Sequence, residues 1–168
     1  MIGVFQSLSR YNSWANAKIY QVCTELSETE LSKPVGVQQK SIYDALKKVL
    51  VDSQNWVSKV DGNATYELLR KENLPSNLIE LGKLQHRMDL RLIDVTKNIT
   101  SIDMARTIAY SDFNLMPFHL PLPVVLTNIF VMQIDSRAKI IELFAELKAR
   151  SISIDYLIFV NDVGLKAK

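Results

Sequence analysis

Apolar residues recur at steps of three and four in four separate segments, and this period commits most of the chain to amphipathic helices. Val4, Leu8, Tyr11, Ala15, Ile19, Val22 and Leu26 form one stripe and predict a first long helix ending near Leu26. Ile42, Leu46, Val49 and Trp56 form a second, with Ser53 in step and Lys48 just beside the stripe. Leu78, Leu81, Leu84 or Gln85, Met88, Leu92, Val95 and Ile99 form a third. Val125, Ile129, Met132, Ser136, Ile140, Leu143 and Leu147 form a fourth, read as its inward face.

The ends of these segments carry stop and start signals. Ser27 with Glu30 has the spacing of a capping box opening a short helical turn, which Pro34 and Gly36 then stop. Ser41 with Asp44 opens the second long helix, which runs to about Val60 before Asp61-Gly62-Asn63 breaks it. Ser76 or Asn77 caps the third, and Pro123 sits in the first turn of the fourth, where its missing N–H costs nothing.

Two connections are unusual. Residues 61–75 make a long link, whose length calls for either a function or a crossover between helices that are not hairpin partners. Residues 107–118, TIAYSDFNLMPF, alternate apolar and polar and predict a short hairpin or extended excursion. The expected fold is all-α: one four-helix bundle domain over 1–168, with crossover connections rather than a plain up-down-up-down order. The tail from Ser151 to Val160 is apolar enough to pack back on the bundle, with the last residues loose.

Composition narrows the function by exclusion. Twenty Lys and Arg against 18 Asp and Glu leave a net +2, spread without a basic patch, so no nucleic-acid partner is expected. The basic and aromatic residues Arg10, Tyr11, Trp14 and Lys18 do not alter this, because Tyr11 belongs to the core stripe. The single cysteine, Cys23, cannot form an intramolecular disulfide and reads as a buried small apolar residue. The start lacks a signal-peptide pattern, and the most apolar later run is cut by Pro121 and Pro123. A soluble cytoplasmic protein with no membrane partner is the expectation.

Catalytic motifs are missing. His86 and His119 lie in different elements with no His-x-x-x-His, Cys-x-x-Cys or His-Glu-x-x-His spacing, and both read as solvated or partly packed residues. There is no phosphate loop and no nucleophile elbow. Glu28 and Glu30 read as helix-start charges. Two positions resist an ordinary reading: Ser136, in the predicted inward stripe, needs a partner for its hydroxyl, and Lys48 must snorkel, pair or shift its pKa.

Four stretches taken in order resemble the DinB family. YNSWANAKIYQVCTELSETEL at 11–31 resembles the family's Tyr-Asn-x-Trp-Ala-Asn opening and its Leu-Ser-x-x-Glu-Leu close. SIYDALKKVLVDSQNW at 41–56 resembles the Ser-Ile-x-x-x-Leu-Asn-His helix, with a Trp eight positions beyond the His. LTNIFVMQIDSRAK at 126–139 resembles the run His-x-Phe-Asn-His-x-x-x-His-Arg-Gly-Gln, and Asp155 to Phe159 resembles the Asp-x-x-x-Phe close.

The resemblance implies a four-helix bundle, commonly a homodimer, that holds a divalent metal such as zinc or nickel through three histidines. Carried over by position, those ligands fall on Lys48, Met132 and Ser136, and none is a histidine. Asn128 also replaces a histidine of the run, whereas Gln133 and Arg137 are kept. The expectation is therefore no metal, no bound cofactor and no assigned catalytic residue, with a homodimeric binding or interaction module as the function. Asp52, at i+4, and Asp135 are the candidate charge partners of Lys48. The alternative is a small-molecule transferase or hydrolase with a repurposed pocket at Lys48, where a desolvated lysine could act as base or pair with Ser136, or with a remaining metal site.

Overall fold

The computed structural model describes residues 1–62, 71–111 and 117–163. Its helices are α1 (Ile2–Cys23), α2 (Glu28–Ser32), α3 (Ile42–Val60), α4 (Leu78–Asn98), α5 (Leu122–Glu146) and α6 (Tyr156–Asp162). A two-stranded antiparallel sheet, β1 (Thr107–Ser111) and β2 (Pro117–Pro121), lies between α4 and α5. The four long helices stand where the stripes put them. The middle of the 61–75 link, the centre of the 107–118 excursion and the final residues lie outside the described residues.

Local chemistry sets the helix ends. Both capping boxes form: Ser27 accepts from the Glu30 N–H while Glu30 accepts from the Ser27 N–H, and Ser41 and Asp44 do the same for α3. Asn77, the second of the two candidates, caps α4 through the Glu80 N–H at 2.9 Å. The turn between α2 and α3 uses Gly36 at φ +70°, a backbone region that suits glycine. α1 stops three residues before the expected Leu26, because the N–H groups of Glu25 and Leu26 bond to Val22 and Cys23 and tighten the chain into a turn.

Pairings between helices fix their directions. Ser9 meets Thr96 at 2.8 Å and Asn16 meets Asp89, so α1 and α4 are antiparallel. Phe5 stacks on Phe130 and Asn16 meets Arg137, so α1 and α5 run parallel. Val49 and Ser53 both meet Gln133, while Trp56 lies by Ile129, so α3 opposes α5. α3 and α4 are consequently parallel neighbours, bridged where Arg91 reaches both Gln54 and Asp61. A short hairpin cannot join parallel helices, which accounts for the long link after Val60.

The sheet docks through aromatic rings: Tyr110 of β1 packs between Trp56 of α3, at 5.6 Å, and Phe118 of β2, at 5.5 Å. The tail packs back as expected, with Phe159 of α6 buried against Tyr11 and Trp14. Two stripe assignments need correction. Val4 is 58% exposed rather than core. The buried face of α5 is Leu122, Val125, Leu126, Ile129, Phe130, Gln133, Arg137, Ile140 and Phe144, which keeps Val125, Ile129 and Ile140 of the expected stripe, whereas Ser136 and Met132 stand beside it and are only half-buried. Gln133 and Arg137 turn inward because buried polar partners on α1 and α3 await them.

Candidate functional site

The three singled-out positions sit between α3 and α5 but not in one cavity. Lys48 of α3 and Ser136 of α5 both line a groove of about 350 Å³, roofed by the 35–40 turn and walled by Lys139 and Leu143. Met132 lies one turn away in a separate crevice among Asp52, Ser53, Trp56, Ile129 and Gln133, where no space remains for a water.

Each of these side chains has a definite environment. Lys48 is half exposed, and its ammonium donates to Asp52 one turn along the same helix. The other candidate partner, Asp135, instead accepts from Lys139 at 2.6 Å. The Met132 sulfur accepts from the Asn128 amide at 3.2 Å, so two positions that the resemblance assigns to histidines bond to each other. His86 and His119 are exposed, on α4 and β2. Among the described residues no three His, Cys, Asp or Glu side chains come together as a metal cluster.

Behind the groove, on the inward side of α5, lies a buried polar network that the stripes did not reveal. Asp89 Oδ1 accepts from the amides of Asn16 at 2.9 Å, Gln85 at 3.0 Å and Asn12 at 3.2 Å. The Arg137 guanidinium donates to the amide oxygens of Asn12 at 2.5 Å and Asn16 at 3.2 Å, and lies 5.3 Å from the centre of the Tyr11 ring. Burial pushes the Asp89 carboxyl up to about 7, with the donated hydrogen bonds and Arg137 acting against that rise. Burial also lowers the pKa of Arg137, which Tyr11 and Asp89 oppose.

All five polar members are buried, so this network holds helices together rather than meeting a ligand. One sequence signal pointed to it: Gln85 and Asp89 are polar residues at i, i+4 that fall among the stripe positions Leu81, Met88 and Leu92 of α4, and Arg137 is a charge within the strongly apolar α5. Asn12 and Asn16 show the same spacing inside the Tyr-Asn-x-Trp-Ala-Asn opening.

Residues 1–127 match the model of the DinB family. That match contains Lys48 and ends before Met132 and Ser136. The fold is similar to the crystal structure of a DinB-like protein from Bacillus cereus ATCC 10987, with a TM-score of 0.65 and 13% identity over 86% of this chain and 91% of that one. At that identity the likeness is one of fold. No curated protein matches the sequence.

Proposed function

This chain belongs to the DinB family, and we propose that it is a member without the three-histidine divalent-metal centre, working as a homodimeric binding or interaction module in the cytoplasm. The donor chemistry at the three carried-over positions supports this reading. A zinc or nickel ion needs deprotonated or neutral nitrogen, sulfur or carboxylate donors converging at about 2 Å. Lys48 offers an ammonium already bound to Asp52, Met132 a thioether taken by Asn128, and Ser136 a neutral hydroxyl. These residues do not fit the metal.

The groove at Lys48 and Ser136 is the place for a small-molecule ligand, since it combines room, an apolar wall at Leu143 and charged rims. No helix of the described residues is long and apolar enough to cross a membrane, which accords with a cytoplasmic setting. Metal analysis of protein purified from zinc- and nickel-supplemented medium tests the reading. Well below one equivalent is expected; a stoichiometric metal surviving dialysis against chelator would overturn it.

A second reading has one observation in its favour, that Lys48 and Ser136 share the groove. A transferase or hydrolase using that pair needs a desolvated amine, whereas Lys48 is half exposed and ion-paired. Lys48→Met separates the two: a folded variant that loses a turnover present in the parent would establish the enzyme.

A further inference from the structure

α1 and α6 enclose a second hollow, which shares no lining residue with the groove at Lys48. Gly3, Gln6, Ser7 and Arg10 fall at i, i+3, i+4 and i+7 along α1, so all four stand on one face of that helix. Tyr156 and Val160, one turn apart on α6, close the other side. The space between them is about 360 Å³, at the small end of ligand sites. Glycine keeps it open. A Cβ at Gly3 would meet nothing within 4 Å, and the backbone there is not in the left-handed region, so neither packing nor conformation demands a residue that is a poor helix former. What a larger side chain would take away is part of the hollow.

The lining is rich in donors and holds no carboxylate. Among the described residues Arg10 makes no ion pair or hydrogen bond, and neither does the side-chain amide of Gln6. By contrast Arg91, Arg106, Arg137 and Arg150 each donate to an acceptor on their own chain. The hydroxyls of Ser7 and Tyr156 meet at 2.6 Å. One hydrogen serves that bond, so the other hydroxyl hydrogen is left to donate elsewhere. The acids of α6 are engaged: Asp155 accepts from the Leu157 N–H at 2.7 Å, and Asp162 pairs with Lys18 at 3.6 Å.

We infer that this hollow binds the phosphate group of a small phosphate monoester. Its ligand is an anion, because the one formal charge in the lining is the guanidinium of Arg10. The number of donors selects phosphate over carboxylate. A guanidinium fork takes two oxygens side by side. The Gln6 amide and the spare hydroxyl hydrogen then need a third oxygen, which phosphate has and a carboxylate lacks. The Tyr156 ring and Val160 give the organic group of the ester an apolar side to lie against.

Calorimetric titration of the full chain with phenyl phosphate tests the site. Saturable one-to-one binding in the millimolar range or tighter is expected, weakened about tenfold or more by Arg10→Met and by Gly3→Leu, which fills the hollow. Both positions are exposed, circular dichroism reports whether each variant is folded, and Gln6→Leu replaces either one that is not. Arg87→Met removes an exposed arginine on α4 and should bind like the parent, which separates the hollow from the overall charge. Benzoate and inorganic phosphate should each bind about fivefold more weakly than phenyl phosphate. A parent without saturable binding, or folded hollow variants that bind like it, overturns the site. Benzoate binding as tightly as phenyl phosphate overturns the choice of phosphate, and inorganic phosphate doing so overturns the ester.

Discussion

Asp89 and Arg137, on helices that face each other across the bundle, are joined through the side-chain amides of Asn12 and Asn16. The carboxylate receives the amide N–H groups, and the guanidinium supplies the amide oxygens. α1 thus acts as the polar bridge between α4 and α5.

Removing the cation should be costly. Arg137→Met leaves two amide oxygens without a donor and the buried carboxylate without its compensating charge. The expected loss is about 3 kcal/mol by urea denaturation. A loss below about 1 kcal/mol would show that the bridge matters little to stability.

Asp89 should also make stability depend on pH. Its carboxyl is raised by burial to about 7 in the folded chain, against about 4 when unfolded. Between these values the folded state holds a proton that the unfolded state has released, so this contribution is complete below about pH 4 and is lost as pH rises through about 7. Asp89→Asn keeps an acceptor and removes the titration. The parent's stability, relative to that variant, should therefore fall from pH 5 to pH 8; a constant difference would refute the assignment.

Cys23 gives a probe of global opening. It is fully buried, and burial pushes its thiol up to about 12, so the folded chain offers almost no thiolate. Labelling by a thiol reagent should run about a thousandfold slower than in urea, and should follow the unfolding equilibrium. Fast labelling of the native protein would place the thiol outside the core.

If Lys48, Met132 and Ser136 occupy the places of the family's ligands, restoring all three should restore metal binding. Lys48→His combined with Met132→His and Ser136→His is expected to bind zinc and to raise the melting temperature with zinc concentration, as linkage requires. The parent should show no such rise. A triple variant blind to zinc would mean that the carried-over positions do not converge.

Features governed by near neighbours in the sequence were readable from it. The capping boxes at Ser27 and Ser41, the Asn77 cap, the breaks near Val60 and the α3 stripe each depend on residues within one or two turns. α5 was not readable to the same degree, because it is apolar on nearly every side and offers more than one candidate stripe. What selects the inward face is Gln133, bonded to Ser53 80 positions earlier, and Arg137, bonded to Asn12 125 positions earlier. A window of a few turns contains neither partner. Asp89 escaped for the same reason: its meaning lies in Asn12 and Asn16 on α1.

The 125-position span of the bond between Arg137 and Asn12 bears on how the protein is made. Synthesis is vectorial, so α1, α3 and α4 leave the ribosome well before residue 137 does. Until then Asp89 has no cation to meet in the interior, where its charged form is strongly disfavoured. Premature collapse of the nascent chain is therefore penalised by Asp89 on α4, and the arrival of α5 is the event that lets the interior close.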